Sequence, residues 1–260
     1  MRLKWYGTAG ILIEHDGTRT LFDPFLSLND REYRPSLDEL SSVMHIFATH
    51  GHLDHIAGIP AIWKYGGGNA NIYCTETPRR VLITKGVNSE KIQEIKPGDV
   101  IHIGVFEISV LKGKHIEFDW KLILKTLLNP RMIWYWKNLL YMLKENIVFK
   151  EAGETVVYDI RAADKRILLL GSLNLDANTT YPQGADIFVL PFQGRSDMNS
   201  YAMRFVAQLN PKSILLDHHN DSFPPVSSTV EAQSFISQMK DKHPGIPVIC
   251  LPASSEWIVV

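Results

Sequence analysis

At 260 residues, with 45% of them hydrophobic, the chain is long enough to bury a sizeable core in one layered domain. A net charge of −1 excludes the overall basic field of a nucleic-acid binder, and two cysteines, Cys74 and Cys250, without redox or metal-binding spacing exclude a disulfide framework. The opening residues lack an apolar leader, from which a cytoplasmic location is expected. Residues 2–6 read as a strand, 7–10 as a tight turn and 11–14 as a second strand. Asp16-Gly17 then turns the chain into Thr20-Leu21-Phe22, which ends at Asp23-Pro24. Residues 26–42, of mixed polarity and with Pro35, predict an exposed loop with one helical turn.

The apolar run 43–48 has the pattern of a buried strand and leads directly into Thr49-His50-Gly51-His52-Leu53-Asp54-His55. In an extended segment side chains alternate, so His50 and His52 share a face. A helix starting near Asp54 would present its carboxylate and His55 beside them. Neutral imidazole suits zinc, iron and other first-row metals, and a carboxylate ligates, bridges or orients a water. The competing reading is a polar loop that happens to hold histidines, or a hydrogen-bonded core histidine.

Residues 56–65 predict a helix that Pro60 bends or ends after one turn, and Gly66-Gly67-Gly68 stops it. That glycine run lacks the Lys-Ser/Thr of a phosphate loop. A strand over 71–74 precedes a helix through Lys85, with Thr77 as its cap and Pro78 at its first position. Strands follow over 92–95, 100–103 and 106–111, the last leading to His115, either a metal ligand or an ordinary loop histidine. Residues 119–150 stand out as an apolar insertion, two helices over 120–128 and 132–144 broken at Pro130. Their length and interrupting charges argue against a transmembrane span. The insertion is read as a lid or substrate wall, with a homodimer contact, a peripheral membrane contact through Lys121, Lys125, Lys137 and Lys144, or a plain extension of the core as alternatives.

Residues 156–160 and 166–170 form a predicted hairpin ending in Gly171-Ser172. A strand over 185–190 leads to Arg195, a candidate for holding an anionic substrate group or else a surface arginine. A helix over 199–209 and a strand over 213–216 bring the chain to Asp217-His218-His219-Asn220-Asp221, again metal-capable residues at a strand tip. A helix over 226–239 and strands over 247–251 and 256–259 complete the expectation.

His50-Gly51-His52-Leu53-Asp54-His55 matches the HxHxDH signature, and the chain here resembles the metallo-beta-lactamase superfamily of metal-dependent hydrolases. The resemblance implies an α+β fold, a four-layer αββα sandwich, as a single domain over residues 1–260 carrying the 119–150 insertion. It implies that His50, His52 and His115 hold a first ion, while Asp54, His55 and His218 hold a second or, with one ion, orient water and protonate the leaving group. Asp23 would steady a ligand histidine, and His219 would take the aromatic position beside His218. Many members carry an aspartate after the glycine where this chain has Ser172, and a neutral hydroxyl is a poor bridge between cations. One or two zinc ions are therefore expected, with iron or manganese as alternatives. The glycine-serine pair also resembles a branch with phospholipase-D-like and sugar-phosphate lactonase relatives. The implied activity is hydrolysis of an ester, lactone or phosphodiester with an apolar portion, acting on a small molecule and not on nucleic acid. The alternative of another class is a non-catalytic metal- or ligand-binding protein that keeps the hydrolase fold.

Overall fold

The structure, a computed structural model, describes residues 1–117, 119–145, 148–254 and 256–260. Among these, two seven-stranded sheets form the centre. The first holds β1 (Arg2–Gly7), β2 (Gly10–His15), β3 (Thr18–Phe22), β4 (His45–Phe47), β5 (Asn71–Cys74) and β6 (Ile92–Glu94), side by side in chain order. The second holds β7 (Val100–Ile103), β8 (Phe106–Lys112), β9 (Val156–Ala162), β10 (Lys165–Leu170), β11 (Ile187–Pro191), β12 (Ile214–Asp217) and β13 (Val248–Ile249). The last strand, β14 (Ile258–Val259), returns to the first sheet and pairs with β1.

Each sheet changes from antiparallel to parallel partway across, at β3 in the first and at β10 in the second. Parallel neighbours need a crossover, and that is where the helices fall. In the first half these are α1 (Leu37–Ser41), α2 (Leu53–Ile56), α3 (Ile59–Tyr65) and α4 (Glu76–Thr84). The insertion supplies α5 (Trp120–Leu127), α6 (Arg131–Trp134) and α7 (Trp136–Glu145), and the second half α8 (Met198–Leu209) and α9 (Gln233–Lys242).

The period of two along each strand sorts the core into layers. Ile167 and Leu169 of β10 pack between the sheets with Ile11, Ile13 and Phe47, whereas Leu168 and Leu170 face α8 and α9. In the first sheet Phe47 faces the other sheet while Ile46 and Ala48 face the helices α1–α4. Both faces of both sheets are thus buried, which is the αββα sandwich. Cys74 is buried and Cys250 half-buried, and both are free thiols.

Five expectations shift. The helix over 56–65 is two helices, because Pro60 lacks an N–H and is accommodated only in the opening turn of α3. Gly58 makes the joint, where a Cβ would lie 2.4 Å from the carbonyl oxygen of Pro24. Helix α4 starts from Thr75, not Thr77, and the Glu154 carboxylate accepts from both Thr77 N and Thr77 Oγ1 at 2.8 Å, closing the helix N-terminus from the other half of the chain. The last helix begins at Gln233 and not at 226, because residues before it are committed elsewhere: Val230 N donates to His219 O at 2.9 Å, and Ser227 Oγ accepts from Phe223 N at 2.8 Å. The 26–42 loop is not simply exposed, since Ser27 and Asn29 are buried and donate to the carbonyls of Ser222 and Asp221. In the insertion the second predicted helix is interrupted at Tyr135, giving three helices in place of two.

Candidate metal centre

Strands β8, β10, β11 and β12 run in one direction, so the loops that carry His115, Ser172 and His218 leave the same end of the second sheet. The loop after β4 carries His50–His55 to meet them, tied to the second sheet by Val156 N donating to Thr49 O at 2.9 Å and Tyr158 OH donating to Ala48 O at 2.6 Å. His52 is the N-cap of α2, which turns Asp54 and His55 inward from its first turn. The result is two donor groups, His50–His52–His115 and Asp54–His55–His218, with donor atoms inside each group no more than 4.8 Å apart. The groups adjoin, since the His50 and His55 rings lie 3.9 Å apart between centroids.

Outer partners decide which nitrogen each ring presents. Asp23, 0% exposed, accepts from Thr49 N at 2.7 Å, from Thr49 Oγ1 at 2.6 Å and from His55 Nδ1 at 2.9 Å. With its own proton spent on Asp23, Thr49 Oγ1 accepts from His50 Nδ1 at 3.1 Å. His115 Nδ1 donates to Ile116 O at 2.8 Å, and His218 Nδ1 donates to Asp217 Oδ2 at 3.1 Å. Nε2 of all four rings is left as the outward lone pair. His55 Nε2 and His218 Nε2 then face each other at 3.4 Å, and His50 Nε2 faces His52 Nδ1 at 3.2 Å. Bare ring nitrogens so placed repel unless a cation lies among them, so the donor set fits a metal ion.

The electrostatics agree. Burial, then the neighbouring histidines, holds His50 well below the ordinary imidazole value, and burial pushes His52 down to about 4 and lowers His115. These three rings are neutral at neutral pH, the form in which an imidazole can bind a metal. Burial also opposes charge on His55, but Asp23 and Asp54 outweigh it and its basicity is raised. Desolvation would raise Asp54, yet His55, His52 and His218 outweigh that and hold it as a carboxylate.

The other expected residues are placed as follows. Ser172 Oγ accepts from Ile116 N at 2.9 Å, so its hydroxyl fixes the loop beside His115. His219 turns away from the centre and packs on Trp5 at 4.5 Å between centroids, and burial pushes it down to about 4. His218, with φ 58° and its N–H donating to Thr8 O at 2.9 Å, is the one of the pair directed inward. Arg195 is engaged outside the cavity, donating to Asp197 at 2.6 Å and to Glu117 O at 2.7 Å. Thr49 and Asp217 carry roles the sequence reading did not assign; the only signal was adjacency to His50 and His218. Gly171 is a third such residue. A Cβ there would lie 1.9 Å from Thr49 Oγ1, so Gly171→Ala is expected to displace Thr49, destabilise the protein by roughly 2–3 kcal/mol and weaken metal binding, as thermal melts and metal titration would show.

Above the donor groups lies a cavity of about 440 Å³. His52, Asp54, His55, His115 and His218 form its floor, and Leu122, Ile123, Thr126 and Leu127 of α5 with Met142 of α7 form an apolar wall from the insertion. The insertion is pinned at several points: Asp119 Oδ2 accepts from Ser196 N at 2.5 Å, Arg131 pairs with Asp221, and Lys85 pairs with Glu145.

Residues 18–120 match the family model described as a beta-lactamase superfamily domain. A UPF0173 metal-dependent hydrolase of Methylocella silvestris is 35% identical over 118 residues, 44% of this chain and 48% of that protein. The chain spans about half the length of the curated relatives it matches. Among solved structures, Igni18, a metallo hydrolase from Ignicoccus hospitalis, superposes with a TM-score of 0.65 at 16% identity, covering 100% of this chain and 98% of the other. An isothiocyanate hydrolase from Delia radicum gut bacteria gives a TM-score of 0.64 at 15% identity, covering 100% and 99%. Residues 18–120 thus carry a beta-lactamase superfamily domain, and the chain as a whole shares the fold of these solved structures, with two metal-capable donor groups at its strand ends.

Proposed function

We propose that the protein is a metal-dependent hydrolase of small esters, lactones or phosphodiesters that carry an apolar portion. The observation that carries this is a cavity with five of the six metal-capable side chains at its floor and aliphatic side chains as its wall. His50, His52 and His115 would hold one ion, and Asp54, His55 and His218 a second; zinc suits these nitrogen-rich sets. When bound, such an ion lowers the pKa of water from about 16 to roughly 7 and polarises the oxygen under attack. Asp54, held as a carboxylate, accepts a proton from the attacking water. With a single ion in the first group, that proton would pass from Asp54 Oδ2 to His55 Nε2, 3.7 Å away, and from His55, whose basicity Asp23 and Asp54 raise, to the leaving group. Both halves work as one unit in this reading, because each donor group combines the loop after β4 with a loop of the second sheet.

Elemental analysis combined with turnover of an ester, lactone, phosphodiester and isothiocyanate panel tests the proposal. Zinc and a turnover that chelation abolishes and zinc restores are expected. Stoichiometric metal with no turnover across the panel would favour a binding protein. Leu122→Trp, which fills the cavity from α5, is expected to slow a long acyl ester about tenfold or more while leaving an acetyl ester within about twofold, read as kcat/KM.

A further inference from the structure

Helices α5 and α7 repeat one pattern, Trp-Lys-x-x-Leu-x-x-Leu, as Trp120-Lys121 with Leu124 and Leu127 and as Trp136-Lys137 with Leu140 and Leu143. At 3.6 residues per turn the tryptophan and both leucines form one stripe, with the lysine bordering it. The other side of each helix is used inside the protein: Ile123 and Thr126 line the cavity, and Met142 is buried. The stripes themselves are exposed, Trp120 at 77% and Leu127 at 60%, and the connection between the helices adds Leu128 at 81% and Trp134 at 76%. An apolar surface this continuous marks an interaction site.

Its charge says what covers it. Residues 120–144 contain five lysines and arginines and no aspartate or glutamate. Arg131 is spent on Asp221. Lys121, Lys125, Lys137 and Lys144 are exposed, and among the described residues no carboxylate lies within ion-pair distance of them. A second copy of the chain on this face would set lysine against lysine across a two-fold axis. Lipid phosphates would meet those lysines, the tryptophans would sit at the headgroup level, and the leucines would enter the acyl boundary. Helices of 8 and 10 residues cannot cross a bilayer, so the contact lies in its plane.

We propose that the outer face of α5–α7 docks the protein on the surface of an anionic bilayer. Leu127 belongs both to the exposed stripe and to the cavity wall, so the cavity adjoins the docking face. The corollary, that an apolar substrate enters from the lipid, rests on the hydrolase reading; the docking does not.

Sedimentation of the full chain, metal-free, with vesicles of phosphatidylcholine alone or mixed with phosphatidylglycerol tests it. Binding to the mixed vesicles is expected, weakened roughly fivefold for each lysine removed in Lys121→Gln and Lys125→Gln, with the neutral vesicles insensitive to both changes. Trp134→Ser with Trp136→Ser is expected to weaken binding to both vesicles, with circular dichroism unchanged because both side chains are exposed. No sedimentation with either vesicle, lysine variants that bind like the parent, or a concentration-dependent dimer dissociated by Leu128→Asp would each overturn the docking. None of these readouts involves turnover, so such a result leaves the hydrolase reading intact, and vesicle binding without turnover on any substrate leaves the docking standing.

Discussion

Replacing His52 with alanine is expected to empty the first donor group of metal and to lower kcat/KM by roughly 10³-fold, about 4 kcal/mol of transition-state stabilisation. The substitution is informative because the fold asks little of this side chain. His52 occupies the N-cap of α2 but makes no side-chain capping bond, and its Nδ1 faces His50 Nε2 at 3.2 Å. Its depressed basicity shows that the site holds it neutral, as a ligand must be. The melting temperature of the metal-free protein should therefore stay within a few degrees of the parent while zinc stoichiometry falls. His50 is a poorer choice, being fully buried and bonded to Thr49, so its loss would mix stability with chemistry. A His52→Ala protein with full metal content and an unchanged rate would remove the first group from the mechanism.

The second large effect is expected at Asp23, which touches no substrate. Asp23→Ala would strand three buried donors, Thr49 N, Thr49 Oγ1 and His55 Nδ1, and should cost about 3–5 kcal/mol in urea unfolding. Asp23→Asn separates stability from ligand orientation. The amide keeps one acceptor and the shape, so the stability loss should be smaller. Its NH2 group would face an acceptor-seeking Nδ1, and relieving that clash moves the His55 proton to Nε2, where it blocks the centre. A fall in metal affinity of roughly 10–100-fold is expected by competitive titration. An asparagine variant with parental affinity would show that Asp23 only fastens the Thr49 loop.

These two residues mark the boundary between what was legible in the chain and what was not. His50 to His55 announced a metal site locally, because alternation in a strand and the first turn of a helix fix the relative directions of neighbours. The strand pattern located most of the sheet for the same reason, period two being a local property. Helix boundaries slipped where a distant group intervened: Glu154 closing α4, and the 217–223 loop holding residues 227–230 out of α9. Arg195 looked like a substrate clamp by residue type, and only the fold shows its guanidinium already held by Asp197 and Glu117 O.

The sequence by itself determined that two metal-capable strand tips exist, that an apolar insertion separates them, and that a neutral serine, Ser172, follows Gly171 at a further strand end. Tertiary structure decided how these combine. Which imidazole nitrogen points inward depends on Asp23, Thr49, Ile116 and Asp217: three are sequence neighbours of the ring they orient, turned toward it only by the fold, and Asp23 reaches His55 from 32 residues away. That His218 and not His219 joins His55 depends on the left-handed backbone at 218 and on Thr8, some two hundred residues earlier. Whether the insertion faces the cavity or the solvent could not be read from its amphipathic pattern, since it is apolar on two sides, and only packing shows which side each leucine serves.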